Sequence, residues 1–167
     1  REVAGNYQPR VPYPTTALGN HLKLAAQLID AGLGSRLFYV TIDGFDTHSG
    51  QAPLHTALLR EVSDAVSAFF RDLSARGQRD RVLLMTFSEF GRRARENGSR
   101  GTDHGSAAPM FLVGGRVKPG LVGAHPERSL AEARAAFEAG RLDEATAAAQ
   151  AAVTGWDGAW AEGRRRM

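Results

Sequence analysis

Apolar residues recur along this chain with two different periods, and each period predicts an element. After a lead-in carrying Pro9, Pro12 and Pro14, the residues Leu18, Leu22, Ala25 or Ala26, and Ile29 fall three or four apart. That spacing predicts a helix capped by Thr15 or Thr16, running through about Ala31 and stopped by Gly32 and Gly34. Leu54, Leu58, Val62, Val66, Phe69 and Leu73 repeat the spacing and predict a longer helix over about Ala52 to Ala75, ended by Gly77. Two short, largely apolar runs flank it, Leu37 to Ile42 and Val82 to Phe87, and both read as strands buried on two faces. Strand, helix, strand in that order predicts a right-handed crossover with the two strands parallel. A further run, Met110 to Val113, follows about twenty residues without a helical pattern. A parallel return needs a crossover, so this strand is expected antiparallel to its predecessor or entering from the same edge.

From Glu127 the pattern changes. Ser129 to Gly140 and Leu142 to Val153 are alanine-rich and helical in period, broken by Gly140, and AEARAAFEAGRLDEATAAAQAAV is similar to one tetratricopeptide-type helical hairpin. A single such unit cannot bury its own face, so it needs the domain, a neighbouring repeat or a protein partner, with Trp156 and Trp160 docking its end. The reading is an α/β domain over residues 1–126 followed by a helical hairpin over 127–167.

Composition narrows the function classes. With 167 residues, 43% hydrophobic and 23% charged, the chain has the make-up of an ordinary globular protein. No run approaches the roughly 18 apolar residues of a membrane span. The absence of cysteine excludes disulfides and thiolate metal sites, so any metal binds through oxygen and imidazole. The net charge is only +3, lysine occurs only at Lys23 and Lys118, and no dense basic stripe interleaves with aromatics, which argues against nucleic acid as a partner. The tail Arg164-Arg165-Arg166 reads as a solvated terminus. The opening Arg-Glu-Val, without leader or initiator Met, reads as a processed product or a fragment.

The chemistry-bearing residues gather at the ends of the predicted strands, where an open α/β sheet places its site. Asp46 and His48, two apart, can both face one metal with Thr47 turned away; the plainer reading makes Asp46 or Ser49 a helix cap. Asp43-Gly44 is turn chemistry, with Asp43 a secondary candidate. Glu89 ends the second strand as ligand, base or cap, and Ser88 beside it lacks the elbow that marks a nucleophile. Asp103-His104, between Gly101 and Gly105, offers one oxygen and one nitrogen to a divalent ion, or forms a loop hydrogen-bond pair. His21 and His55 lie on the helices as surface or capping residues. Together Asp46, His48, Glu89, Asp103 and His104 form a set suited to zinc, manganese or a similar ion. Arg92, Arg93 and Arg95 either clamp a phosphate or sulfate or pair with these acids to shape the loop.

The run GFDTHSGQ, then a helix ending in FFRDL, then RVLLMTFSEFGRR, ENGSRGTDHG and VGGRVKPGLVG resembles the bacterial family catalogued as domain of unknown function 1501, over about Tyr13 to Gly123. That resemblance implies the alkaline-phosphatase-like superfamily, with its sulfatases and phosphoglycerate mutases, and so a partial alkaline-phosphatase-like sheet with flanking helices. It implies a metal-dependent hydrolase of small anionic esters, exported to the periplasm. By that analogy Asp46 and His48 fall on a metal loop, His104 on a late metal-binding histidine, and Phe90 stands where relatives carry a histidine. Relatives are longer and hold the expected nucleophile upstream. The alternative is a non-catalytic metal-binding or interaction module derived from the same fold.

Overall fold

The computed structural model describes residues 7–120, with 135, 138 and 139 beyond them. The chain divides into two units, Arg1–Val117 and Lys118–Met167. In the second, one helical turn is described, closed by the Ala139 N–H on the Ala135 carbonyl at 3.1 Å. The expected alanine-rich hairpin otherwise lies outside the described residues, as do Trp156 and Trp160.

In the first unit, α1 (Ala17–Asp30) starts as its sequence predicts. Thr16 is extended and its Oγ1 accepts the Gly19 N–H at 3.1 Å, satisfying one of the amides a helix start leaves free. The helix ends at Ala31, and Gly32 takes the left-handed turn away from it (φ +65°). The longer helix, α2 (Gln51–Ala75), packs on α1: Leu18, Leu22, Ala25 and Ala26 meet Ala65, Phe69, Phe70 and Leu73 in one apolar core. The predicted spine of α2 packs into this core only from Val62 onward, while Leu54 near its start is exposed. Periodicity marks an apolar stripe but does not say how much of it finds a partner.

A short 3-10 turn (Arg79–Arg81) leads into β1 (Leu83–Met85), followed by β2 (Gly91–Arg92), β3 (His104–Gly105) and β4 (Leu112–Gly114). β1 pairs with β4 antiparallel, Leu84 opposite Val113, and β2 pairs with β3 antiparallel, Arg92 opposite His104. The third apolar run is therefore antiparallel to its predecessor, as expected. The parallel pair is not formed. Leu37 to Ile42 joins no ladder among the described residues.

The reason lies in what covers these runs. Phe38, Val40, Ile42, Val82, Leu84 and Val113 pack on the helical core, but the alternate residues are bare. Leu37 is 89% and Tyr39 69% exposed, and Leu83, Met85, Phe87 and Leu112 are exposed with them. The Tyr39 and Phe87 rings sit 6.0 Å apart on that outer side. The runs expected to be buried on both faces are buried on one. A run apolar at nearly every position implies two apolar faces; it does not supply the second layer. The described architecture is a mixed α/β fold, two helices against one face of the β1–β4 ladder, with the β2–β3 ladder as a second short antiparallel pair.

The lead-in is tied down by a carboxylate that periodicity alone passes over. Asp72, in the apolar stripe of α2, is 0% exposed. It accepts hydrogen bonds from the Tyr7 hydroxyl, the Tyr13 hydroxyl at 3.1 Å, the Arg10 amide at 2.8 Å and Arg76 Nε at 3.2 Å. Arg76 also bonds Asp30 at 2.8 Å and the Gln8 carbonyl, and lies over the Tyr7 ring at 4.3 Å. Burial on its own would raise the Asp72 pKa, but hydrogen bonds from Tyr7, the Arg10 amide, Arg76 and Tyr13 outweigh it and hold the carboxyl below its ordinary value.

Candidate metal centre

Three segments far apart in the chain build this site, beginning with the loop after Ile42. Thr47 is buried; its N–H bonds the Phe45 carbonyl at 2.9 Å and its own carbonyl accepts the Thr102 N–H at 3.4 Å. With Thr47 fixed inward, its neighbours Asp46 and His48 are both exposed. The second segment is held by Asn97. Its amide nitrogen donates to the His48 carbonyl and to Asp103 Oδ1, each at 3.0 Å, and its Oδ1 accepts the Ser99 and Gly101 amides. Gly101 passes so close to the His48 backbone that a Cβ there would collide with it, so glycine is required. The same loop ends α2's exposed start: the Ser99 and Arg100 carbonyls accept the Gly50 and Gln51 amides at 3.0 and 2.8 Å. The third segment is the β2–β3 ladder, whose register sets His104 across from Arg92.

The result is a convergence on Asp46 Oδ1. His104 Nε2 lies 2.8 Å from it, His48 Nε2 3.1 Å and Arg92 Nη2 3.1 Å. The two imidazole rings are 4.9 Å apart between centroids. One ligand atom from each of Asp46, His48 and His104 lies within 4.8 Å of the others, and among the described residues this is the group able to hold a metal ion. The three side chains are 59%, 49% and 50% exposed, so one side of the cluster is open to solvent. The hydrogen bond with His104 holds the Asp46 carboxyl below its ordinary pKa against partial desolvation, helped by the charges of His104, His48 and Arg92. One carboxylate oxygen and two imidazole nitrogens make a borderline donor set that suits zinc, manganese or a similar ion.

The remaining predicted residues take other positions. Asp103 stands behind the cluster: its Oδ1 is 3.8 Å from His48 Nδ1 and fixed by Asn97. The Asn97 hydrogen bond also lowers its pKa, with Arg93 and His48 nearby adding to the effect against partial desolvation. A carboxylate on the far nitrogen of an imidazole is the usual orienting partner of a metal-binding histidine. Glu89 is exposed and outside the converging group, as is Asp43. Ser88 Oγ accepts the Phe90 amide at 3.5 Å. Arg92 is only 16% exposed and is spent on protein oxygens, bonding the Phe45 carbonyl at 2.7 Å, the Thr102 carbonyl and Asp46. It shapes the loops rather than facing solvent. Arg93, 69% exposed, approaches Asp103 Oδ2 only to 4.0 Å, and Arg95 is exposed. His55 meets the Phe45 ring edge-on at 5.7 Å and His21 is on the exposed side of α1.

Two residues of the site were not foreseen in their roles. Asn97 was legible in principle, since Asn-Gly between arginines is turn chemistry. Phe90, whose ring stacks on His104, carries no local signal of that contact.

Residues 4–151 match the family model described as protein of unknown function (DUF1501). The chain belongs to that family. The DUF1501 match extends on both sides of Tyr13 to Gly123, the span of the resembling blocks, and takes in much of the alanine-rich segment. No curated protein and no solved structure matched the chain. The matched range contains Asp46 and His48 in GFDTH and His104 in GTDHG, the three residues that converge. No helix among the described residues is long and apolar enough to cross a membrane.

Proposed function

We propose that this chain holds one divalent ion on Asp46, His48 and His104 and uses it in hydrolysis of a phosphate or sulfate ester, as a member of an alkaline-phosphatase-like lineage. The observation that carries the reading is the meeting of a D-x-H pair with an imidazole 58 residues from Asp46, three ligand atoms within 4.8 Å on a solvent-open face. The donor chemistry fits the ion: the carboxylate is kept ionised, the imidazoles are accessible, and the Asp103 carboxylate lies 3.8 Å from Nδ1 of one of them. A bound ion of this kind polarises an ester oxygen or lowers the pKa of a water. The chain's own residues bind and orient it. Arg92 fixes the Asp46 carboxylate from the protein side, and the exposed Arg93 and Arg95 are the cations available to an incoming anion. The same proposal takes residues 1–126 as part of an alkaline-phosphatase-like domain, 127–167 as a helical hairpin for a protein partner, and an exported location.

Elemental analysis of dialysed protein tests the site. We expect about one zinc or manganese per chain, lost in Asp46→Ala and in His104→Ala, with turnover of an aryl phosphate or aryl sulfate that a chelator abolishes. Protein that takes up neither ion from micromolar solution sinks the reading. A second reading, a metal-binding module without turnover, draws support from Ser88. Its hydroxyl accepts a backbone amide and has no side-chain base bonded to it among the described residues. Stoichiometric metal with no turnover of either ester selects that reading.

A further inference from the structure

The two imidazoles of the cluster have different neighbours at their outer sides. His48 has Asp103 behind its Nδ1, and Asp103 is itself fixed by Asn97. His104 has no such partner: its Nε2 meets Asp46, and among the described residues its Nδ1 has no hydrogen bond. Its ring instead lies on Phe90, centroid to centroid 4.4 Å and 15° from parallel. Phe90 in turn carries the Arg92 guanidinium over its ring at 5.0 Å, and Arg92 is pinned by the Phe45 and Thr102 carbonyls. The carboxylate or carbonyl that normally orients a metal-binding histidine lies in the ring plane at its far nitrogen; at His104 the restraint acts on the ring face instead.

We propose that Phe90 is a positioning residue for His104: its ring, braced by Arg92, fixes the imidazole plane so that Nε2 faces Asp46 and His48. The inference rests on the metal reading above for its purpose, but the stack exists without an ion. Restricting rotation about the two side-chain torsions of His104 removes an entropic cost that any ligand on Nε2 otherwise meets at binding. Because Phe90 lies on the loop edge and outside the helical core, replacing it leaves the fold in place.

The test compares wild type with Phe90→Leu and Phe90→Tyr, each first checked for an unchanged thermal transition. Imidazole NMR of the metal-free proteins is read first. The His104 ring protons should be shifted upfield in wild type and Phe90→Tyr by the neighbouring aromatic, and return toward free-histidine positions in Phe90→Leu. Titration with Zn2+ is read second. Phe90→Leu should bind about 10-fold more weakly, within the range of other outer partners of metal ligands, and Phe90→Tyr should restore binding. If wild type binds no Zn2+, the metal reading fails, and the positioning role stands when the His48–His104 ring contact (4.9 Å between centroids) gives a nuclear Overhauser effect in wild type and Phe90→Tyr that is lost in Phe90→Leu, and falls when the effect is the same in all three. If wild type binds Zn2+ and Phe90→Leu binds it equally tightly, the positioning role is overturned and the metal reading stands.

Discussion

Asp72 and Asp46 are both acceptors for several donors from distant parts of the chain, yet they do opposite work. Asp72 is sealed, and its partners are two phenols, a backbone amide and Arg76. Asp46 is more than half exposed, and its partners are two imidazoles and Arg92. Protonated phenols and amide N–H groups are poor ligands for a divalent ion, and Asp72 is sealed from water. Imidazoles at an open face exchange a proton for a metal readily. Donor type and access, not the number of partners, separate a carboxylate that holds a fold from one available for chemistry.

The largest effect that sharpens this contrast is on stability. Asp72→Ala leaves Arg76 and two tyrosine hydroxyls facing a buried gap, and removing one partner of a buried ionic network costs about 3–5 kcal/mol. Urea unfolding should show the whole midpoint moving, whereas Asp46→Ala should leave it nearly in place. Equal shifts in the two variants would erase the distinction. Next in size is the response to metal. Zn2+ at 100-fold its dissociation constant should stabilise wild type by about 2.7 kcal/mol, raising the melting temperature, while Asp46→Ala and His48→Ala melt alike with and without the ion.

A smaller effect is expected at Arg92. Arg92→Lys keeps the charge but loses the fork that joins Phe45, Thr102 and Asp46. Zn2+ affinity should fall by about tenfold, as for other supporting groups, and calorimetry would read it directly. Undiminished affinity would mean the loops hold themselves. The smallest effect lies at the pH extremes. Tyr7 and Tyr13 have their pKa values raised, first by burial and then by the Asp72 carboxylate. Groups raised in the folded state add stability that is complete below their unfolded value, about 10, and lost as the pH climbs toward their folded values. Asp72, held low, adds stability that is present above about 3.9 and lost as the pH falls through its folded value. Tyr7→Phe should flatten the alkaline limb of a melting-temperature profile and leave Asp46-dependent metal binding unchanged.

What the sequence made legible follows the range over which each signal acts. Thr16 caps α1 and the three-to-four spacing outlines α2, because capping and amphipathicity are local. Asp46, His48 and His104 stood out by chemistry at strand ends, and the loops between them do converge. Asp72 was hidden because a carboxylate in an apolar stripe makes sense only once Tyr7, Arg10 and Tyr13, some sixty residues earlier, fold onto it. Leu37 to Ile42 misled for the complementary reason: its side chains report hydrophobicity, while pairing depends on a neighbour that local pattern does not contain. Phe90 was marked only as a departure from a family pattern, and its stacking on His104 is a tertiary contact.

The bare side of the sheet has a consequence for anyone handling the protein. Leu37, Tyr39, Leu83, Met85, Phe87 and Leu112 present a greasy plane to water, and among the described residues no ladder engages the backbone of Leu37 to Ile42 beside it. Melting curves and metal titrations will therefore drift with protein concentration and with traces of detergent, so dilution series belong beside every measurement made on it.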